Sequence, residues 1–330
     1  MPYPSGGTII RAELRTALEQ GLDELKFCIA EKVAPVYDSE TKAGIYLLRT
    51  LENRGSKRLD ENRRAPSASY PEVTNTWTSD QYETQDFGYK SKVDDSFKAY
   101  ANRFLDLETS TSRILDAKNM LAYELRVANA LLGQNGAATA FTVYSGTTAY
   151  TQNNIATVDF VGDIFNACEI LRGFGTLPNA IILTYPLWNY VRRSPLFQNY
   201  VRGNFPTVLP TVLTPEQAAA VFFEQGVERV LIAGAYQDLG NEGQLFLGSP
   251  IWPNSYFLVG KVTGGDFLAG GVMRTIAWKE DGGFKAVESY RDEDVRSDVI
   301  RVRQSVIEKT IDARGGVIVQ TGASNGAKIT

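Results

Sequence analysis

Apolar residues recur every three or four positions in five stretches of the chain, a spacing that places them on one face of an α-helix. The longest stretch, 107–133, would form a helix about 40 Å long at 1.5 Å per residue. Thr109, Ser110 and Thr111 offer start caps, and Gly133 offers a stop. Its predicted apolar face consists of Ile114, Ala117, Leu121, Leu125, Ala128 and Leu132. Helices are predicted at residues 8–33, 107–133, 158–174, 186–201 and 215–223.

Short runs rich in β-branched and aromatic residues are typical of strands, and they concentrate in the last third of the chain. Between two of these runs, Asp281, Gly282 and Gly283 predict a hairpin turn. Strands are predicted at residues 43–50, 73–92, 180–184, 230–233, 256–262, 272–278, 284–290, 299–307 and 317–320. The final stretch, 322–330, is small and polar and is expected to be mobile.

Residues 51–71 interrupt this pattern, because they are polar, lack apolar periodicity and carry turn-forming residues. With the strand-like stretches on either side, they predict a two-stranded arm with an irregular tip. A compact domain rarely contains an unstructured connection of about 20 residues, and two strands alone are marginally stable in water. We therefore expect the arm to pack on another copy of the protein.

The arm also carries the candidate contact residues. Its basic residues lie beside Asp60 and Glu61, and either nucleic acid or a neighbouring subunit could pair with them. The interleaved acids, and the expected lack of aromatic stacking residues in the tip, favour the neighbouring subunit. Aromatic residues on the following strand suggest a surface that is buried on assembly. Inter-subunit contacts are predicted for Arg54, Lys57, Arg58, Arg63, Arg64, Trp77, Tyr82 and Phe87.

Composition lowers the expectation of catalysis. The 330 residues include no histidine, which removes the commonest general base and metal ligand. The two cysteines, Cys28 and Cys168, are predicted to be buried free thiols, since two cysteines without histidine cannot complete a usual zinc site. The net charge of -4 argues against a dedicated basic face for nucleic acid. No catalytic residue, cofactor or metal is predicted.

Sequence motifs add little chemistry. The dinucleotide-binding and phosphate-loop glycine patterns are absent from the sequence. The acidic run from Asp292 to Asp298 could chelate a cation, but Arg291 and Arg296 flank it and a solvated polar turn is favoured. No signal peptide and no membrane-spanning stretch is evident, so no membrane partner is expected.

Several short strings, in their order and spacing, resemble the HK97-like major capsid proteins of tailed double-stranded DNA phages. The resemblance covers about residues 28–321. The strings are Ala30–Val36, Arg64–Pro66, Leu105–Glu108, Glu124–Asn129, Leu177–Leu183, Trp188 with Arg193–Pro195, Gly234–Tyr236, Ile251–Trp252 and Asp298–Val302.

The resemblance implies an α+β, HK97-like capsid fold. Residues 1–42 would be an N-terminal arm and 43–93 an extended hairpin called the E-loop. A peripheral domain would comprise 94–154 and 271–315, with 107–133 as its spine helix. An axial domain would comprise 155–270 and 316–330.

The function implied by the resemblance is a structural subunit that self-assembles into an icosahedral shell around double-stranded DNA, and not an enzyme. Its partners would be further copies in hexamers and pentamers, a portal, and DNA contacted without sequence specificity. Because no long charged segment precedes the arm, the resemblance implies either a separate scaffolding protein or a sequence that is already the mature form, and a decoration protein stays open. The protein would reside in the virion after assembly in the host cytoplasm.

The sequence leaves two alternative functions open. An encapsulin-like nanocompartment shell would use the same fold to enclose cargo enzymes. An α+β enzyme without histidine could work with carboxylates such as Asp292 or Asp294, and it would need a concave pocket holding a carboxyl of raised pKa.

Overall fold

A computed structural model describes residues 9–10, 23–49, 63–64, 66–70, 72, 77–97, 106–133, 140–204, 213–241, 243–245, 247–265 and 267–322. Besides a helical turn at residues 95–97, the α-helices of these residues are α1 (Ala30–Val33), α2 (Leu107–Leu132), α3 (Phe160–Gly173), α4 (Tyr185–Arg193), α5 (Pro195–Asn204) and α6 (Pro215–Val221). Short 3-10 helices lie at Asp23–Phe27, Gln152–Asn154, Phe223–Gln225, Phe267–Ala269, Lys279–Asp281 and Glu293–Val295.

The strands of the described residues form two large sheets and two pairs. They are β1 (Ile9–Ile10), β2 (Val36–Ser39), β3 (Ala43–Arg49), β4 (Trp77–Glu83), β5 (Gln85–Asp94), β6 (Thr142–Ser145), β7 (Ala180–Thr184), β8 (Arg229–Ala233), β9 (Tyr236–Asp238), β10 (Gly248–Pro250), β11 (Tyr256–Gly260), β12 (Met273–Trp278), β13 (Ala286–Asp292), β14 (Ser297–Thr310) and β15 (Gly316–Gln320). The first sheet has the order β1-β13-β14-β12-β2, with β5 also on β14. The second has the order β6-β15-β11-β7-β8. β3 pairs with β4, and β9 with β10. This mixture confirms the α+β class.

The long strand β14 organises the first sheet. One edge pairs with β5, while the other pairs with β13 over 297–303 and then with β12 over 306–310. β12 and β13 therefore follow one another in the same direction along β14. The hairpin predicted at 281–283 is wrong. Lys279–Asp281 instead forms a 3-10 turn that ends at Gly282, which has a left-handed backbone conformation. Turn-forming residues indicate that the chain bends, but they do not indicate whether the strands before and after the bend pair with each other.

The helix predicted at 107–133 is confirmed as α2, but its predicted start caps are wrong. The Asp106 carboxylate accepts hydrogen bonds from the Thr109 backbone N–H (3.4 Å) and the Thr109 hydroxyl (2.6 Å). An aspartate at this position also interacts favourably with the positive end of the helix dipole. Gly133 ends the helix as predicted, with φ 68° and its N–H donating to the Asn129 carbonyl.

The buried face of α2 is rotated from the predicted one. Ile114 is 49% exposed, and Leu121 and Leu125 are only half-buried. The buried residues are Ser112, Leu115, Asp116, Ala117, Asn119, Met120, Tyr123, Glu124, Val127, Ala128, Leu131 and Leu132. Apolar spacing missed this face because four of its members are polar or charged.

The second sheet is covered by helices, and aromatic side chains from the helices, from Phe222 after α6 and from the sheet itself form a core. The Phe160 ring lies 5.6, 5.9 and 5.6 Å from the rings of Phe197, Phe222 and Phe257. The predicted helix 186–201 divides into α4 and α5 at Ser194, because Pro195 has no N–H to continue the first helix. β6 belongs to this sheet through its parallel pairing with β15. The domain boundaries proposed from the sequence stay a prediction.

The predicted helix 8–33 is largely wrong where the structure describes it. Ile9–Ile10 pairs as a strand with β13, Asp23–Phe27 is a 3-10 helix, and α1 covers four residues. Pairing with a distant strand therefore outweighs the local helical spacing at Ile9 and Ile10. Residues 11–22, and the tail 323–330 predicted to be mobile, lie outside the described residues.

Candidate subunit-interaction surface

β3 and β4 form an antiparallel ribbon whose pairing runs from Ala43 opposite Glu83 to Arg49 opposite Trp77. Because side chains alternate along a strand, the ribbon has two faces. Tyr46, Leu48 and Tyr82 lie on the inward face and pack with Ile276 of β12 and Ile311. The ribbon is thus joined to its own subunit along one side.

Polar contacts reinforce the inward face. The Tyr82 hydroxyl lies 2.7 Å from the Ser39 hydroxyl, and the Tyr46 hydroxyl donates to the Asp80 carboxylate at 2.7 Å. The Lys309 ammonium lies 3.3 Å from the same carboxylate. Burial raises the pKa of Tyr46, and the hydrogen bond to Asp80 adds to the shift. Partial burial acts to raise the pKa of Asp80, but the bonds from Tyr46 and Gln81 and the charge of Lys309 outweigh it and lower that pKa.

The outward face of the ribbon is apolar and exposed. Ile45 is 73% exposed, Leu47 51% and Trp77 48%. Their strand positions place all three on the face opposite Tyr46 and Tyr82. Single exposed apolar residues are ordinary, whereas three on one strand pair form a patch of the kind found at interaction sites.

An open groove of about 650 Å³ lies at the base of the ribbon. Its lining includes Tyr37, Asp38, Glu40, Leu47 and Trp77. Asp38 and Glu40 are both exposed, and the described lining contains no lysine or arginine. The groove therefore combines aromatic walls with two carboxylates, and we call it the acidic groove.

Residues 63–64 and 66–70, which we call the arm tip, carry the opposite charge. Arg63 and Arg64 are exposed. The Arg64 Nε donates to the Ala68 carbonyl at 2.6 Å, and its guanidinium lies 5.0 Å from the centre of the Tyr70 ring. Tyr70 is 74% exposed. The expectation that the tip lacks an aromatic stacking residue is therefore wrong, and Tyr70, six residues after Arg64 in a turn-rich stretch, was the visible signal for it.

The eight predicted contact residues do not form one cluster. Arg54, Lys57 and Arg58 lie outside the described residues, whereas Arg63, Arg64 and Trp77 are exposed. Tyr82 is buried in its own subunit, as described above. Phe87 lies 3.9 Å beneath the Arg126 guanidinium, whose Nε donates to Glu308 at 3.0 Å. The inter-subunit role of the group stays a prediction.

Two buried carboxyl groups lie on α2 and were also missed. The Glu124 carboxylate accepts hydrogen bonds from the Ile29 and Ala30 backbone N–H groups (3.0 and 2.7 Å) and from the Trp252 indole N–H (2.6 Å). Asp116 is 1% exposed, and neither of its oxygens accepts a hydrogen bond among the described residues. The Lys285 ammonium lies 3.9 Å away. Burial is the main cause that raises the pKa of both carboxyl groups.

The acidic run after β13 is a polar turn, as predicted. Arg291 pairs with Asp95 (2.6 Å) and Asp298 (3.2 Å), and Lys92 pairs with Asp292 (2.9 Å). The hydrogen bond from Lys92 is the main cause that lowers the pKa of Asp292. In the part of the chain that the structure describes, no group of three acidic or cysteine side chains could hold a metal ion.

The cysteine prediction is half right. Neither cysteine forms a disulfide, and Cys168 is buried, with burial raising its pKa to about 11. Cys28 is half-buried.

None of the described helices combines the length and hydropathy that crossing a bilayer requires.

Similarity to solved structures extends over nearly the whole chain. A phage-related protein from Bordetella bronchiseptica RB50 matches with a TM-score of 0.67 at 17% identity, over 96% of this chain and 98% of the other. The capsid of the cyanophage P-SCSP1u matches with 0.56 at 10% identity, over 89% and 88%. The chain has the HK97-like capsid fold.

Another solved structure with this capsid fold is equally distant in sequence. The capsid protein of a native GTA particle matches with a TM-score of 0.52 at 13% identity, over 98% of this chain and 96% of that one. No protein-family model matches the chain, and no curated sequence is similar to it. The capsid fold is therefore preserved here at identities below one residue in five.

Proposed function

We propose that this chain is a major capsid protein that self-assembles into an icosahedral shell around double-stranded DNA. Its mechanism is association between copies, without catalysis. A typical stable protein contact buries about 1,600 Å². Repetition of such contacts around each subunit would make a closed shell far more stable than an isolated pair.

The observation that carries the proposal is the outward face of the β3–β4 ribbon. Ile45, Leu47 and Trp77 are half to three-quarters exposed on a strand pair whose other face is packed on its own subunit. In an isolated subunit these apolar side chains remain in contact with water, whereas a neighbouring copy would bury them. The similar solved structures include a cyanophage capsid and a GTA capsid, which supports the same use of the fold here.

The proposed organisation follows the resemblance seen in the sequence. Residues 1–42 would be the N-terminal arm and 43–93 the E-loop, which contains the ribbon. α2 would be the spine of a peripheral domain comprising 94–154 and 271–315, and the axial domain would comprise 155–270 and 316–330. In this division β6 pairs across the boundary with β15.

The proposed partners are other copies in hexamers and pentamers, a portal and a scaffolding protein. Packaged DNA would be contacted without sequence specificity, which agrees with a net charge of -4 and no strongly basic composition. The protein would be assembled in the host cytoplasm and reside in the virion.

The positions of the raised-pKa carboxyl groups do not favour an enzyme. Asp116 and Glu124 are buried in α2 packing, and neither lines the acidic groove or the second open groove near Gly175 and Asp312. Asp292, one of the two carboxylates named for the enzyme alternative, has a lowered pKa, which is the opposite of what a general acid requires.

Size-exclusion chromatography of the purified full-length chain, together with electron microscopy, tests the proposal. We expect shells or ring-shaped capsomers at high concentration. A strictly monomeric protein under these conditions would contradict the proposal. Neighbouring genes separate the two kinds of shell: portal, terminase and tail genes indicate a phage, and a peroxidase or ferritin-like gene indicates a nanocompartment.

A further inference from the structure

We infer that the arm tip of one copy docks in the acidic groove of a second copy. The inference rests on the proposed shell function and deepens it, because it names the surface of a neighbour that receives the arm. The docked side chains would be Arg63, Arg64 and Tyr70, and the receiving carboxylates Asp38 and Glu40.

The arm tip has the chemistry of a preformed ligand. The bond from Arg64 to the Ala68 carbonyl and the stacking of its guanidinium on Tyr70 hold the turn in one shape. This order reduces the conformational entropy that docking would otherwise cost. Tyr70 nevertheless keeps 74% of its surface exposed, which is more than a tyrosine used only for internal packing would leave.

The acidic groove has complementary chemistry. Its volume of about 650 Å³ is within the range of pockets that enclose side chains or small ligands. Asp38 and Glu40 supply two negative charges, and Tyr37 and Trp77 supply apolar walls. The carboxylates of the groove would thus pair with the arginines of the tip, and its aromatic walls would contact the tyrosine ring.

Charge alone would make a weak contact, because exposed ion pairs contribute only about 0–1 kcal/mol. Burial of an aromatic ring between aromatic walls supplies the larger part, and the charges decide which surface is accepted. Tyrosine and arginine are the residue types most often found to dominate protein interfaces.

The contact would be heterologous, since the tip and the groove are different surfaces of one chain. Each copy would offer its tip to one neighbour and its groove to another. Contacts of this kind close into rings when the rotation between copies permits, as a capsomer requires.

Charge reversal tests the inference. The groove variant Asp38→Lys/Glu40→Lys and the tip variant Arg63→Glu/Arg64→Glu should each lower the yield of assembled particles by about tenfold or more, because like charges would face one another. The variant with all four substitutions should recover assembly. The charge-preserving exchange Asp38→Glu/Glu40→Asp is the matched control and should assemble like the wild type.

Thermal unfolding of each variant as an isolated subunit should stay close to that of the wild type, because all four side chains are exposed. If the wild type forms particles and both reversed variants do so equally well, the docking inference is wrong and the shell function stands. If the wild type forms no particles, the shell function itself fails, and this inference with it.

A disulfide experiment tests the geometry without altering charge. Thr41 lines the groove and Ser69 lies in the tip, and both are exposed. In assembled particles of Thr41→Cys/Ser69→Cys, mild oxidation should give covalent dimers and longer ladders, while either single variant should not. A disulfide confined within one chain, or no disulfide in particles that assemble normally, would overturn the inference.

Discussion

At the residue scale, Asp116 and Glu124 show how one helix holds two buried carboxyl groups in unlike surroundings. Glu124 accepts three N–H groups, whereas Asp116 accepts none among the described residues and has Lys285 at 3.9 Å. When a buried, ionised carboxyl accepts no hydrogen bonds, most of its desolvation free energy is left uncompensated. Burial thus raises the pKa of Asp116, against the lowering effect of Lys285 and with a raising contribution from Glu31.

The substitution Asp116→Asn should therefore stabilise the folded protein at neutral pH. A folded-state pKa above the unfolded value of about 3.9 means that the ionised group lowers the free energy of unfolding. That loss is complete above the folded-state pKa and disappears as the pH falls through it. We expect a gain of about 1 kcal/mol at pH 7 that vanishes near pH 3, measured by urea unfolding across this range.

Asp163→Asn is the matched control. This carboxylate is also fully buried, but it accepts hydrogen bonds from the Thr147 backbone N–H, the Thr147 hydroxyl and the Tyr150 hydroxyl. Replacing it should cost about 1–3 kcal/mol, because an amide nitrogen cannot accept these bonds. Equal stabilisation by both substitutions would contradict the account given for Asp116.

At the scale of elements, Gly44 and Tyr82 lie directly opposite one another in the ribbon and approach closely. A Cβ at Gly44 would lie 2.7 Å from the Tyr82 hydroxyl oxygen and 2.9 Å from its ring. The ring is itself held by the hydrogen bond to Ser39. Only glycine at position 44 therefore leaves room for the Tyr82 ring to lie across the neighbouring strand.

Gly44→Ala should displace Tyr82 and destabilise the subunit by about 1–3 kcal/mol, the usual cost of overpacking. Gly203→Ala is the control, since a Cβ there meets nothing within 4 Å and lies in helix α5. That change should stabilise by about 0.5–1 kcal/mol. Thermal unfolding of the two variants distinguishes a steric effect from a general effect of adding a methyl group.

Glu124 joins α1 to α2 and to the segment before β11. Glu124→Ala would leave the Ile29, Ala30 and Trp252 N–H groups without their acceptor, so we expect a loss of about 3 kcal/mol or more. Hydrogen exchange at residues 29 and 30 should become faster. Lys118→Ala, at an exposed position of the same helix, should change stability by less than about 0.5 kcal/mol.

The elements that could be predicted from the sequence are those whose pattern is local. α2 has 26 residues with clear apolar spacing, and β7 is a continuous apolar run, so both were found with correct bounds to within a residue. The β12–β13 connection could not be predicted, because the strand that pairs with both lies later in the chain. The burial of Glu124 and Asp116 could not be predicted for a similar reason. A carboxylate within a helix is expected to be solvated unless the distant residues that pack on it are known.

The candidate site was predicted in outline only. An arm near residues 43–93 follows from polar composition between strand-like segments, and Trp77, Arg63 and Arg64 are exposed on it. Which aromatic residue faces outward depends on strand register, and the sequence does not state the register. Tyr82, a predicted contact residue, lies on the inward face, and Ile45 and Leu47 of the outward face were not among the predicted contacts.

At the scale of the whole molecule, the ribbon's two faces should respond differently to substitution. Ile45→Ser/Leu47→Ser changes only exposed side chains, so the isolated subunit should keep its unfolding temperature while particle yield falls severalfold. Leu48→Ser, on the inward face, should lower the unfolding temperature of the subunit. Particles that form normally from the double variant would argue against a shell contact through this face.

β14 and β15 have a consequence for how the protein is made. Strands from residues 85–94, 273–277 and 286–292 all bond to β14, and β15 lies between β6 and β11 in the other sheet. Neither sheet can close until residues 297–320 have left the ribosome. A chain that stops before residue 297 would lack both completed sheets, so we expect such copies to be excluded from the proposed particle.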